Sequence, residues 1–530
     1  MTSVRWWAAG VAIAAIVLAL WQLTMQERGI QRAEAVAGET PVTVFTVESE
    51  APGPVVLVAH GFAGSRRLMD AFSLSLARAG YTAVAFDFLG HGRHPRPLTG
   101  DLGDQDGTPA VLMGQVGEVA AWARELRGAD GGLAVVGHSM ATNILVRFAQ
   151  ETPGVHATVA VSIMAPTSGE DSPPNLLAVA GEWEPRLVAE GRRVVALGAG
   201  RSEGEVETFT TYGDPRAGTA RRLVVAPRVE HVGVLYSGTT LQETVAWIDA
   251  TFGRDASSGT ATESLIASGR GGWIALFMGA LLLLAWPGSR LLPRVDSGPR
   301  VLPGGSDWRR LLVVGAVPAV ATPLLLVPVP TGFLPVVVGD YLAVHFAIYG
   351  ILTAGLLWWT AGRPSTSQML SAVIPDGGAG GRRGAAGLVV LGAALAVGWF
   401  VGAVAWPIDR FFTSFMPTPE RLPLMAATLL GTLPFFLADE WLTRKAAPAR
   451  GAYPLTKFLF LCSLALAVAL DFSGLFFLVI IVPVILIFFV VHGLLSRWAF
   501  HRTGSPLVAG LANAVAFAWA LGVTFPLYAG

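Results

Sequence analysis

Apolar positions along this chain follow two rhythms, and the change from one to the other divides it. Residues 6–25 form an uncharged apolar stretch preceded by Arg5, long enough at about 1.5 Å per helical residue to cross a bilayer core of about 30 Å. The small-x-small sequence Ala35-Val36-Ala37 would suit a signal peptidase, but it stands about ten residues past the apolar run, beyond the usual cleavage region. An uncleaved signal anchor is therefore expected rather than a signal peptide. From residue 40 to 252 short β-branched runs alternate with amphipathic helical stretches, the pattern of an α/β domain whose mostly parallel sheet is covered by helices. Strands are expected at 42–47, 55–59, 82–86, 133–136, 158–163, 176–180 and 223–226, with a helix at 141–150. Residues 253–272, rich in Ser, Thr, Gly and Ala, read as a linker.

Beyond the linker the rhythm becomes long and continuous. Apolar spans near 273–286, 311–328, 341–361, 387–406, 422–438, 458–470, 475–496 and 506–528 predict an all-α polytopic membrane domain of about eight helices over 273–530. The expected organisation is a membrane anchor and stalk (1–39), the α/β domain (40–252), a linker (253–272) and the membrane domain. Composition agrees: 53% of the residues are hydrophobic and only 14% charged, against about a quarter charged in soluble domains, which excludes a single soluble globule.

Charge adds orientation. Residues 1–271 carry 21 basic and 28 acidic side chains and residues 272–530 carry 16 and 9, so the net charges are −7 and +7. A basic membrane half is what cytoplasmic loops produce, and it does not call for nucleic acid. Arg290, Arg294, Arg300, Arg309 and Arg310 share one loop; Arg363, Arg382 and Arg383 fall in the next but one, then Arg444, Lys445 and Arg450, then Arg497 and Arg502. The loops between hold only Arg410 and Arg421. This alternation sets the rich loops in the cytoplasm and the α/β domain outside, in what reads as a bacterial plasma membrane. If 458–470 and 475–496 were one broken helix, everything after them would invert. The one cysteine, Cys462, excludes an intrachain disulfide.

Candidate chemistry begins at Gly137-His138-Ser139-Met140-Ala141, which follows the strand 133–136 and opens the helix 141–150. A strand-to-helix turn of this kind exposes a nucleophilic serine, and it is so tight that the positions two before and two after must be small. Upstream, strand 55–59 runs into His60-Gly61-Phe62-Ala63-Gly64, a glycine-rich turn able to aim a backbone N–H at a substrate oxyanion. Phe62 and Met140 are the expected oxyanion-hole donors. Asp87-Phe88-Leu89-Gly90-His91-Gly92 ends the next strand.

With these motifs in this order, residues 42–252 resemble the α/β-hydrolase superfamily, whose members run HG-x, D-x-x-G-H-G, G-x-S-x-G, acid, histidine. The resemblance implies an α/β-hydrolase fold and a mainly structural D-x-x-G-H-G segment, which leaves Asp87 and His91 outside the catalytic set. A serine hydroxyl needs a histidine base and an acid that orients it. His231, in Val229-Glu230-His231-Val232-Gly233 just after the last strand, stands where the family places that base. His60 and His138 belong to turns, His91 and His94 to the loop after Asp87, and His156 to the start of a strand. Leu176-Leu177-Ala178-Val179-Ala180-Gly181-Glu182-Trp183-Glu184 resembles the family's G-E-x-D strand and puts Glu184 in the acid position, with Glu182 as runner-up. If neither served, Glu203, Glu205 or Glu207 would follow a strand at 194–197.

Only about a dozen residues, 165–175, separate the strand after the nucleophile helix from the acid strand, so no large cap is expected over the site. In the membrane half Asp340, His345, Asp409, Asp439, Glu440 and Asp471 lie at or near span ends, where a structural role is favoured over an ion pathway. No P-loop, zinc spacing, dinucleotide fingerprint or repeat occurs, so no cofactor or metal is expected. The expected activity is that of a membrane-bound serine hydrolase cleaving an ester or related acyl bond of a lipid or envelope component. An acyltransferase, or a transport or assembly protein with a hydrolase-like binding domain, is the alternative.

Overall fold

The protein is described from a computed structural model, which covers residues 2–48, 53–126, 132–166, 168–169, 173–254, 267–295, 308–368, 381–446 and 450–529. Most of the predicted linker, with Arg300, therefore lies outside the described residues. The chain forms two compact units. One comprises Val17–Phe277 with Ile408–Phe415 and Pro526–Gly530; the other comprises Met1–Ile16, Met278–Pro407 and Met416–Phe525.

The first unit is built on a nine-stranded sheet of order β1-β2-β4-β3-β5-β6-β7-β9-β8. Its strands are β1 (Ile30–Ala37), β2 (Thr40–Val47), β3 (Val55–Ala59), β4 (Thr82–Phe86), β5 (Leu133–His138), β6 (Val155–Val161), β7 (Leu176–Gly181), β8 (Thr211–Tyr212) and β9 (Arg221–Ala226). The six from β4 to β9 in that order pair parallel, while β1, β2 and β8 are antiparallel additions at the edges. Val55–Ala59 is buried at every position, as a central strand covered on both faces should be. Helices α2 (Asp70–Arg78) and α6 (Gly238–Thr251) pack into one core layer. Helices α3 (Thr108–Arg124) and α4 (Met140–Glu151) pack into another, and α5 (Pro185–Ala199) covers the β6, β7 and β9 end.

Besides the short unpredicted β8 and small shifts at strand ends, three details differ from the expected pattern. Strand β1 was not anticipated, because Ile-Gln-Arg-Ala-Glu-Ala-Val-Ala has little β-branched character; it forms as one arm of a hairpin with β2 around Gly38, whose φ of +61° suits glycine. Strand β6 begins earlier than the predicted 158–163 and stops at Val161, because Ser162 turns to φ +54° and leaves the ladder. Residues 194–197 are helical, inside α5, so no acid-bearing strand exists there.

Two distant segments complete this unit. The Leu98 N–H donates to the Leu527 carbonyl at 2.8 Å and the Leu527 N–H to Gly90 at 2.9 Å, so the C-terminal tail is pinned to the loop after β4. On the same unit the Ser414 N–H donates to Ser65 Oγ at 2.8 Å, and Arg93 pairs with Asp409 at 2.8 Å. The folded unit is therefore discontinuous in sequence.

The other unit is helical. Across the chain nine helices among the described residues are long and apolar enough to span a membrane. They are α1 (Thr2–Met25), α7 (Arg270–Gly288), α8 (Trp308–Leu326), α9 (Gly339–Thr360), α10 (Gly381–Phe411), α11 (Pro419–Arg444), α12 (Ala452–Leu470), α13 (Phe472–Thr503) and α14 (Pro506–Thr524). α12 and α13 are separate helices: Asp471 leaves helical geometry and its carboxylate accepts the Gly474 N–H, capping α13. α9 and α11 touch backbone to backbone, since a Cβ on Gly431 would lie 2.1 Å from the Ala343 carbonyl oxygen. Small residues allow such close approach between apolar helices. Asp340 accepts the Phe333 N–H at 3.0 Å, a structural use of its charge.

Candidate active site

The site assembles at the carboxyl ends of the parallel strands, where the turns after β3, β5, β6, β7 and β9 converge. Ser139 sits between β5 and α4 with φ +54° and ψ −118°, a strained conformation for a residue with a side chain. The sequence permits it because the neighbours are small: a Cβ on Gly137 would lie 2.7 Å from Leu145 and 3.2 Å from Ala141. Gly61 is constrained likewise, since an added Cβ would be 3.0 Å from both Ser139 Cβ and His138 Nδ1. The turn carrying Phe62 is thus pressed against the serine. Met140 is the first residue of α4, where a helix leaves N–H groups without intrahelical partners.

From Ser139 a hydrogen-bonded chain runs inward. Ser139 Oγ is 2.9 Å from His231 Nε2, and His231 Nδ1 is 2.5 Å from Glu184 Oε1. The other oxygen of Glu184 accepts the Gly181 N–H at 2.7 Å and the Ser162 hydroxyl at 2.9 Å. Glu184 is only 8% exposed, whereas the His231 side chain is 40% exposed, so the imidazole opens outward and the carboxylate is shielded. Burial works to raise the Glu184 carboxyl, but the hydrogen bonds from His231, Gly181 and Ser162 outweigh it and hold the group below its ordinary 4.5.

Sequence reasoning passed over two neighbours. Ser162 is one, carried at positive φ just past β6; the sequence, which predicts the strand to run on to 163, gives no signal of it. The other is His138, set aside as a turn residue. Its Nε2–H donates to the His231 carbonyl at 2.9 Å, and the two rings lie 4.7 Å apart. Burial above all, and then His231 beside it, push the His138 pKa down to about 3, so it is a neutral support for the loop bearing His231.

The remaining candidates lie apart from this chain. The exposed Glu182 accepts the Arg228 N–H at 2.7 Å. Glu205 caps a 3-10 turn with Ser202, and Glu203 lies in that same turn, with Glu207 just beyond it. Asp87 is engaged in structure: it accepts the Arg66 N–H at 2.8 Å and the Arg93 N–H at 3.0 Å, and pairs with the Arg66 guanidinium, which reaches Glu34 at 2.7 Å. His60 donates from Nδ1 to the Gly61 carbonyl at 2.7 Å and receives the Phe88 N–H on Nε2, tying two turns together. His91 Nδ1 lies 2.8 Å from the Leu89 carbonyl. The connection from β6 to β7 contains no helix among its described residues. No cluster of three or more potential metal ligands occurs among the described residues.

Residues 54–206 match the family model described as alpha/beta hydrolase fold, a stretch that includes Ser139 and Glu184 and stops before His231. Among solved structures the chain is similar to an epoxide hydrolase from Vigna radiata, at 23% identity and a TM-score of 0.21, covering 26% of this chain and 39% of that one. It is also similar to an epoxide hydrolase from an endophytic Streptomyces, at 26% identity and a TM-score of 0.22, covering 27% and 40%. A hypothetical protein from Pseudomonas aeruginosa shares 11% identity at a TM-score of 0.23, covering 26% and 44%. The chain thus spans about two fifths of those structures. No curated protein matches it. The family match and the sheet define an α/β-hydrolase superfamily domain, joined in one chain to a helical region with several helices long and apolar enough to cross a membrane.

The depressed carboxyl has a pH signature. A carboxyl lower in the folded than in the unfolded state stabilises the fold fully above its unfolded value, here 4.5, and ceases to do so as pH falls through the folded value. The difference in Tm between the wild type and Glu184→Gln should therefore narrow as pH falls below about 4.5. A difference unchanged by pH would show that Glu184 is not held ionised.

Proposed function

We propose that the chain is a membrane-embedded serine hydrolase that cleaves an ester or related acyl bond through an acyl-enzyme. The observation that carries this reading is the continuous chain from Ser139 Oγ through His231 to the buried Glu184. Ser139 Oγ attacks the acyl carbon while His231 Nε2 takes its proton, and Glu184 holds the Nδ1–H tautomer and stabilises the imidazolium. The tetrahedral oxyanion is received by the N–H groups of Phe62 and Met140. His231 then passes the proton to the departing alcohol, leaving an acyl group on Ser139. A water, deprotonated by the same imidazole, attacks the acyl carbon, and the carboxylic acid leaves as Ser139 recovers its proton. None of these steps draws on a cofactor. The exposed His231 side chain and the absence of a helix among the described residues between β6 and β7 favour a bulky substrate, and we assign a lipid or envelope ester.

We further propose that the hydrolase unit is extracytoplasmic, on a bacterial plasma membrane. The arginine alternation supports this, and so does the composition of the unit. With the nine spans among the described residues and a cytoplasmic N-terminus, the chain after the first span, after the fifth and after the ninth all emerge on one side. Those are the three stretches from which the hydrolase unit is assembled, Val17–Phe277, Ile408–Phe415 and Pro526–Gly530.

Two experiments test these readings. With an activated ester as substrate, Glu184→Gln should lower turnover by about 10⁴ with KM little changed, since losing the triad acid has that cost, whereas Glu182→Gln should remain near wild type. The opposite ranking would move the acid role to Glu182. In a Cys462→Ser background, a cysteine at the exposed Arg216 should react with an impermeant thiol reagent in intact cells, and one at the exposed Leu291 should not. Labelling of Leu291→Cys alone would place the hydrolase unit in the cytoplasm.

A further inference from the structure

The helical unit contains a cavity of about 680 Å³ among α11, α12 and α13, with no part in the chemistry above. Four cations line it: Arg444, Arg450, Lys457 and Arg497. Two of them are committed inward. Lys457 is buried and ion-paired with Asp439, and Arg444 reaches Glu440 at 3.2 Å and the Gly493 carbonyl at 3.3 Å. Arg450 and Arg497 are exposed, and no carboxylate pairs with either among the described residues. The four cations and two carboxylates leave a net charge of +2 beside the cavity. The wall beyond the cations is apolar, and Phe458 and Leu486 are 61% and 46% exposed.

We propose that this cavity holds one anionic phospholipid, its phosphate between Arg450, Arg497 and Arg444 and an acyl chain along Phe458 and Leu486. Arginines scattered around a membrane protein are ordinary interfacial anchors. Here they come from three elements, the end of α11, the α11–α12 loop and α13, and meet at one opening above an apolar wall. A planar guanidinium matches the oxygen pairs of a phosphate, and basic pockets between spanning helices suit anionic headgroups. Charge complementarity selects among occupants. A zwitterionic lipid offsets its phosphate with its own ammonium, and free phosphate lacks the chain that would cover the exposed phenyl and leucine side chains.

The test uses the full-length protein in a neutral detergent, with dioleoylphosphatidylglycerol, dioleoylphosphatidylcholine or inorganic phosphate added. Lipid adducts are counted by native mass spectrometry, and Tm is followed in parallel. The phosphatidylglycerol should bind at least tenfold more tightly than the phosphatidylcholine and raise Tm, and inorganic phosphate should neither raise Tm nor displace it. Arg450→Gln with Arg497→Gln should remove the preference while leaving the lipid-free Tm near wild type, because both side chains are exposed; Arg290→Gln should retain it. Equal binding of the two lipids by the wild type overturns the proposal whether or not the double variant folds. Displacement by inorganic phosphate overturns the assignment to a lipid, and a preference that survives in the double variant puts the anion elsewhere.

Discussion

A buried carboxylate must be satisfied, and in this protein that requirement holds the site together. Glu184 is nearly enclosed, and an ionised group in such surroundings persists only with several donors around it. Its donors come from three separate turns: the Ser162 hydroxyl after β6, the Gly181 N–H at the end of β7, and the His231 imidazole after β9. Each is presented by a strand whose parallel register with its neighbours brings the carboxyl ends level. The position of His231, and hence its distance from Ser139, follows from satisfying that one anion. His138 supports the arrangement from the far side by donating to the His231 carbonyl.

The parts of this arrangement legible in the sequence were those with a local cause. The elbow at Ser139 announces itself because the residues at positions 137 and 141 are both small, and at 137 the structure shows what a side chain would strike. Buried strands such as Val55–Ala59 and Thr82–Phe86 appear at their expected limits because an unbroken β-branched or alanine run has few other ways to be buried. The three side chains at 139, 184 and 231 meet, although spacing alone could not separate Glu184 from Glu182. That distinction depends on which carboxylate turns inward at the start of α5, and Glu182 turns outward to the Arg228 N–H. Strand β1 and the Ser162 contact were hidden for a different reason. Both exist only through a pairing partner, β2 across the Gly38 turn for one and Glu184, 22 residues on, for the other.

The same limit explains the discontinuous hydrolase unit. Nothing in Ile408–Phe415 or Pro526–Gly530 marks these residues as belonging with a sheet hundreds of residues earlier; they do so through Asp409 on Arg93, Ser414 on Ser65 and the backbone of Leu527 on Leu98. Inside the helical unit the sequence located the spans but not their contacts. Asp439 and Glu440 look alike as acidic residues near a span end, yet one pairs with Lys457 and the other with Arg444. Pairing of this kind is how ionisable groups are tolerated at membrane depth.

The central claim is that Ser139 is an activated nucleophile, and its reactivity can be read without knowing the substrate. A fluorophosphonate bonds covalently to a serine activated by a neighbouring imidazole, with loss of fluoride. Treated with such a probe and digested, the full-length protein should carry the label on the peptide containing Ser139, and labelling should disappear in Ser139→Ala and fall sharply in His231→Gln while Tm stays near wild type. Labelling that persists in Ser139→Ala, or a folded wild-type protein that takes up no label, would contradict the account.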